Sequence, residues 1–120
     1  MKKILFVEDE PSLQKAISEV LIQEGYEVAT AADGEEGLLK INEKPDLVLL
    51  DLILPKKDGF EVLKEMKAND STKDVPVIVL TNLEGTGDVE KALELGATTY
   101  LVKANYELDD VVKKIRDIIE

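Results

Sequence analysis

The sequence predicts an α/β fold built on an open, doubly wound parallel sheet. Five short apolar runs alternate along the chain with five stretches whose apolar residues recur at helical spacing. The runs are apolar throughout, which is typical of strands that helices cover on both faces of a sheet. A chain of 120 residues is too short for an eight-stranded barrel. We therefore expect one open sheet in a single domain, residues 1–120.

The first half of the chain contains three predicted strands and two predicted helices. KILFVED predicts the first strand, and Pro11 favours the first turn of the helix after it. That helix ends at Gly25. Its apolar face comprises Leu13, Ala16, Ile17, Val20 and Leu21. YEVATA predicts a weaker second strand, a helix around Glu35 to Asn42 presents Leu38 and Ile41, and DLVLLD predicts the third strand.

The second half continues the same alternation. A KKDG turn signal precedes the third helix, VPVIVLT predicts the fourth strand, and TTYLVK predicts the fifth. The fourth helix ends at Gly96. The apolar faces are Phe60, Leu63 and Met66 in the third helix, Val89, Ala92 and Leu93 in the fourth, and Leu108, Val111, Val112, Ile115 and Ile118 in the fifth.

Composition excludes several classes of function. The chain has no cysteine and no histidine, so its chemistry must use carboxylates, lysines and hydroxyls. A net charge of −11 argues against binding to a nucleic-acid backbone. No apolar stretch approaches the ~20 residues of a membrane span. The first apolar run ends at Val7, short of the roughly 7 to 15 residues of a signal peptide, and we predict a cytoplasmic protein.

Polar residues end the predicted strands. They are Glu8 and Asp9 after the first strand, Asp51 after the third, Thr81 at the end of the fourth and Lys103 after the fifth. Each alone is equally well explained as a helix cap or the start of a loop. Because the carboxyl ends of parallel strands share one crevice, all four ends together indicate a pocket. A pocket also explains Asp51, since burying a carboxylate without partners among leucines costs several kcal/mol.

The residue types at these strand ends indicate phosphoryl chemistry. Three carboxylates brought together repel one another unless a cation is present, and oxygen ligands alone suit a hard ion such as Mg²⁺. Lys103 adds a positive charge and Thr81 a hydroxyl, which together with a metal stabilise a phosphoryl group during transfer. The Asp51 carboxylate is then the candidate nucleophile.

Four motifs in this chain resemble the receiver domain of two-component response regulators, in particular the chemotaxis regulators. They are the pair Glu8 and Asp9, the segment DLILPKKDG, the strand VIVLT and the segment GATTYLVK. The resemblance covers essentially the whole chain. It implies the flavodoxin-like receiver fold with strand order 2-1-3-4-5. It also implies that Asp51 accepts a phosphoryl group from a histidine kinase or a histidine phosphotransfer protein.

The resemblance assigns further roles by position. Asp9 and Asp51 would bind Mg²⁺ together with the backbone carbonyl of Ile53, and Glu8 would act mainly through water. Lys103 and Thr81 would contact the phosphoryl group. Thr81 and Tyr100 would form the switch that changes the surface offered to a downstream effector protein, although Tyr100 by itself reads as an ordinary strand residue. No enzymatic activity is implied beyond phosphorylation and dephosphorylation of the domain itself.

Two residues depart from the family pattern. Asn82 stands just beyond the fourth strand where a small residue is usual, and we expect it to narrow access to the phosphate. Ala104 replaces the usual proline after Lys103, and a cis bond before a non-proline residue costs about 2.5 to 4 kcal/mol. We therefore predict a trans bond and a loop one residue longer, ending at Tyr106, with Lys103 still within reach of Asp51.

The sequence argues against two other functions and leaves a third open. A flavodoxin-like cofactor binder needs a phosphate cradle, but EDEPS after the first strand is acidic and lacks glycine. A haloacid-type phosphatase needs a second aspartate at the position of Ile53. A receiver-like interaction module that is never phosphorylated stays open. No output domain fits in 120 residues, so we expect signalling by protein contact, as a monomer or a phosphorylation-dependent dimer, with no direct nucleic-acid or membrane partner.

Overall fold

The structure is a computed structural model that describes residues 1–120 and contains the five strands and five helices predicted above. The strands are β1 (Lys3–Val7), β2 (Glu27–Ala31), β3 (Leu47–Leu50), β4 (Val77–Thr81) and β5 (Thr99–Val102). The helices are α1 (Pro11–Gln23), α2 (Gly34–Ile41), α3 (Gly59–Ala68), α4 (Thr86–Glu94) and α5 (Leu108–Ile119). A short 3₁₀ turn, Lys103–Asn105, precedes α5. None of the helices has the length and apolar character needed to cross a bilayer.

The five strands form one parallel sheet in the order β2-β1-β3-β4-β5. This is the strand order that the resemblance implied. The order changes direction between β1 and β3, and in open α/β sheets that switch point is where a crevice forms beyond the strand ends. The fold therefore places its functional crevice above β1 and β3.

Strand residues alternate between two apolar clusters on opposite faces of the sheet. In β1, Ile4 and Phe6 pack against α1 and α5, whereas Leu5 and Val7 pack on the other face against α2, α3 and α4. The strands β3 and β4 alternate in the same way. Because successive strand residues point to opposite faces and both faces are covered, these strands are apolar except for Lys3 at the start of β1 and Thr81 at the end of β4.

Helix ends follow the signals in the sequence. Gly25 after α1 and Gly96 after α4 have φ of 97° and 110°, a left-handed conformation that glycine adopts without strain. The side chains of Asp33 and Asp58 cap α2 and α3 by accepting hydrogen bonds from backbone amides in the first helical turn. The predicted ends of the first and fourth helices are thus confirmed.

Three residues predicted to lie on buried helix faces are instead exposed: Ala16, Leu93 and Leu108. Consecutive helix residues are rotated by about 100°, and Ala16 and Leu93 lie on the solvent side of the buried Ile17 and Ala92. Leu108 is the first residue of α5 and precedes the turn that packs on the sheet. Spacing predicted these faces correctly but made them too wide.

The Ser18 hydroxyl in α1 is buried and has no hydrogen-bond partner. We predict that Ser18→Ala raises stability by about 1 kcal/mol, because it removes this unpaired polar group and alanine is the better helix former. The melting temperature followed by circular dichroism should rise by roughly 4 °C. The control is Ser12→Ala, at an exposed position of the same helix. A melting temperature of Ser18→Ala at or below that of the wild type would contradict this reading.

Candidate functional site

The carboxyl edge of the sheet brings the polar strand ends together. The last residues of β1 and β3 pair with each other, so Glu8 and Asp51, which follow them, leave adjacent strands at the same level. Thr81 is the last residue of β4, and Lys103 is the first residue after β5. Four strand ends therefore contribute side chains to one crevice.

Asp51 is buried in this crevice, with 4% of its surface exposed. Its side-chain Oδ1 accepts a hydrogen bond from the Ile53 amide at 3.2 Å. Its Oδ2 accepts one from Lys103 Nζ at 3.0 Å. Because both oxygens have partners, the carboxylate is held among apolar residues without an unpaired charge.

The Lys103 ammonium lies between two carboxylates, 2.7 Å from Glu8 Oε1 and 3.0 Å from Asp51 Oδ2. Burial lowers the pKa of Lys103, but the two carboxylates outweigh that effect and leave the pKa raised above its ordinary value. The peptide bond to Ala104 is trans, as predicted. The lysine is therefore a fixed positive charge directed at Asp51.

Glu8 is almost completely buried, with 1% of its surface exposed. Burial raises the pKa of Glu8 and the charge of Asp51 raises it further, while contact with Lys103 and the Glu10 amide acts in the opposite direction. Oε2 accepts a hydrogen bond from the Glu10 amide at 3.2 Å. Oε1 lies 2.7 Å from Lys103 Nζ and forms an ion pair with it.

Three acidic side chains could hold a cation here. Oxygen atoms of Glu8, Asp9 and Asp51 all lie within 4.8 Å of one another. Asp9 is exposed and has neither a hydrogen bond nor an ion pair, whereas the other two are buried and contact Lys103. An oxygen-only set that is open to solvent on one side suits Mg²⁺, which binds through one or two carboxylates and retains several waters. The residues present therefore fit this ion.

The two predicted switch residues meet at the segment after β4. Thr81 is fully buried, and its hydroxyl accepts a hydrogen bond from the Leu83 amide at 3.5 Å. The Tyr100 hydroxyl donates a hydrogen bond to the Leu83 carbonyl at 2.9 Å. Burial raises the pKa of Tyr100, and Asp88 and Asp51 raise it further. Asn82, between Thr81 and Leu83, is exposed. Residues 81–83 therefore connect the buried end of β4 to the protein surface.

The loop between β3 and α3 approaches its own backbone closely. Gly59 donates its amide to the Leu52 carbonyl at 2.8 Å, and a Cβ at this position would lie 2.4 Å from the carbonyl oxygen of Asp51. Ile53 in this loop has an exposed side chain, 54% accessible, while its amide binds Asp51. Glycine is therefore required where the chain turns back beside Asp51.

Sequence reasoning missed Gln14 in α1. Its side-chain nitrogen Nε2 donates hydrogen bonds to the backbone carbonyls of Glu8 at 2.9 Å and Ala31 at 3.2 Å. Gln14 therefore bridges the ends of β1 and β2. The available signal was a polar residue beside Leu13 on a helix face that packs on the sheet. Gln14 fixes the backbone from which the acidic pair projects.

Comparison with known proteins matches this geometry. The model of the response regulator receiver domain family matches residues 4–116. The chain is 35% identical over 120 residues to the DNA-binding dual master transcriptional regulator RpaA of Synechocystis. The aligned region covers 99% of this chain and 49% of RpaA. The chain is 40% identical to the transcriptional regulatory protein CpxR of Klebsiella pneumoniae, with coverage of 99% and 50%. The chain thus spans about half the length of these curated relatives.

Solved structures give the same result. The chemotaxis protein CheY4 of Vibrio cholerae has a TM-score of 0.90 at 32% identity, over 98% of both chains. The BeF3-activated receiver domain of RstA from Klebsiella pneumoniae has a TM-score of 0.90 at 31% identity, over 99% of both chains. A receiver domain of the sensor histidine kinase PA1611 from Pseudomonas aeruginosa, with magnesium in its active site cleft, has a TM-score of 0.89 at 32% identity, over 98% of this chain and 97% of that one. The chain belongs to the response regulator receiver domains of two-component signal transduction systems.

Proposed function

We propose that this receiver domain accepts a phosphoryl group on Asp51 from a phosphohistidine of a histidine kinase or phosphotransfer protein. The observation that carries the proposal is the position of the Asp51 carboxylate. It is buried, and its Oδ2 lies 3.0 Å from the Lys103 ammonium. Two further acidic side chains lie beside it at the same edge of the sheet. A carboxylate in this setting is a nucleophile with positive charge already in place for the incoming group.

The proposed transfer is a displacement at phosphorus. An oxygen of Asp51 forms a bond to phosphorus as the bond between phosphorus and the donor imidazole nitrogen breaks, and the electron pair of that bond stays on the imidazole. Lys103, already in contact with Asp51, balances charge on the phosphoryl oxygens. The buried Thr81 hydroxyl donates a hydrogen bond to one of them. Hydrolysis of the resulting acyl phosphate returns the domain to its initial state.

For the metal, we propose that Asp9 and Asp51 bind Mg²⁺ with the Ile53 carbonyl, and that Glu8 contributes mainly through water. The exposure of Asp9 and its lack of any other partner support this division, since buried Glu8 already pairs with Lys103. Bound Mg²⁺ would offset the negative charge of the phosphoryl oxygens.

The output is proposed to be a change in the surface formed around Leu83 and Tyr100. A Thr81 hydroxyl that moves to the phosphoryl group would lose its hydrogen bond with the Leu83 amide. The Tyr100 hydroxyl donates a hydrogen bond to the carbonyl of the same Leu83, so a shift of Leu83 would also reach Tyr100. We propose that a downstream effector protein reads this surface in the cytoplasm, with the domain as a monomer or a phosphorylation-dependent dimer. In a longer protein of the RpaA type, a DNA-binding part of the same chain would be the reader.

We predict that the wild type gains one phosphate in intact mass when incubated with acetyl phosphate and Mg²⁺. Asp51→Asn should gain none, because the amide is not a nucleophile for this transfer. Asp70→Asn, which changes an exposed aspartate outside the site, should behave as the wild type. Phosphate on Asp51→Asn would refute the assignment of the acceptor. An unmodified wild type would favour the alternative, an interaction module that is not phosphorylated.

A second prediction concerns metal binding. Mg²⁺ at about 100 times its dissociation constant should stabilise the wild type by roughly 2.7 kcal/mol, or about 10 °C in melting temperature. Asp9→Ala should abolish this response. Without metal, Asp9→Ala should melt at or above the wild-type temperature, because it relieves repulsion with Glu8 and Asp51 and removes an exposed side chain. A full Mg²⁺ response in Asp9→Ala would show that this carboxylate is not a ligand.

A further inference from the structure

The loop between β3 and α3, residues 52–58, is held from outside by the start of α2. The Gly34 amide donates a hydrogen bond to the Pro55 carbonyl at 3.4 Å. The same carbonyl accepts the Lys57 amide at 2.7 Å. Within the loop, Lys56 has a φ of 66°, a conformation that a non-glycine residue adopts only when its surroundings impose it. The loop is therefore restrained by contacts rather than by its own preferences.

Gly34 allows this contact because it has no side chain. A Cβ at Gly34 would lie 1.8 Å from the carbonyl oxygen of Lys57 and 2.7 Å from its carbonyl carbon. These are backbone atoms, so no side-chain rotation relieves the overlap. Alanine is the better residue inside a helix. The glycine at the first position of α2 is thus explained by close approach to the loop.

The same loop contacts the phosphoacceptor. The Ile53 amide donates its hydrogen bond to Asp51 Oδ1, and Gly59 closes the other end of the loop against the backbone of Asp51 and Leu52. A shift of residues 55–57 would therefore be transmitted to the Asp51 carboxylate through the Ile53 amide, two residues before Pro55.

We propose that Gly34 is a positioning residue for the metal site, since it lets α2 hold the β3–α3 loop in the conformation that orients Asp51 and the Ile53 backbone. This inference rests on the proposed function, in which both groups bind Mg²⁺. Gly34 itself contacts neither the metal nor the phosphoryl group. Its effect passes through the backbone of Pro55 and Lys57.

The test compares two glycine-to-alanine substitutions at helix starts. Gly34→Ala should weaken Mg²⁺ binding by about tenfold in calorimetric titration, the size of effect typical of residues that orient metal ligands. Gly87→Ala, in the first turn of α4, is the matched control, because a Cβ there meets no atom within 4 Å. It should bind Mg²⁺ as the wild type does. A folded Gly34→Ala with wild-type Mg²⁺ affinity would overturn the proposal.

A second measurement decides the question if Gly34→Ala does not fold. In a Mg²⁺ titration of the wild type followed by amide resonances, the Gly34 and Ile53 amides should shift with one common dissociation constant, while the Gly87 amide stays unchanged. A Gly34 resonance that does not respond to Mg²⁺ would refute the coupling. Failure of the proposed function itself would look different, because the wild type would then bind no Mg²⁺.

Discussion

The structure depends on one electrostatic constraint: two neighbouring carboxylates are buried at the edge of the sheet, and one ammonium group balances them. Glu8 and Asp51 have almost no exposed surface, and Lys103 lies within 3.0 Å of both. Buried charges of one sign are costly unless they are paired. Burial raises the pKa of Glu8, because desolvation disfavours its charged form even with Lys103 in contact. With the neighbouring Asp9, three carboxylates face one ammonium, and this excess of negative charge attracts a divalent cation.

The fold supplies this arrangement through its strand ends. The parallel strands place the polar side chains at their carboxyl ends in one crevice, and the sheet order makes Glu8 and Asp51 neighbours. Around them the supporting contacts hold the backbone: the Gln14 side chain binds the end of β1, and the Gly59 amide binds the loop after β3. Few side chains would take part in phosphoryl transfer, and the other residues at this edge of the sheet hold them in position.

Much of this was predictable from the sequence, for physical reasons. Continuous apolar runs identify strands covered on both faces, and a polar residue at the end of each run identifies the edge that carries the site. The strand order was not derivable from periodicity and came from the resemblance to receiver domains. The exposure of Ala16 and Leu93 was mispredicted, because spacing gives the direction of a helix face but not its width. The roles of Gln14 and Gly34 depend on contacts between segments distant in sequence, which only the folded chain shows.

The most direct test of the electrostatic constraint is the free energy of unfolding of Lys103→Met, measured by urea denaturation without metal. Removing the ammonium leaves two buried carboxylates without a cation, and the variant should lose about 3 kcal/mol relative to the wild type. Lys113→Met, which removes an exposed lysine from α5, should lose little. Mg²⁺ should restore part of the loss in Lys103→Met. Equal metal-free stability of Lys103→Met and the wild type would contradict the claim that Lys103 makes the burial of Glu8 and Asp51 possible.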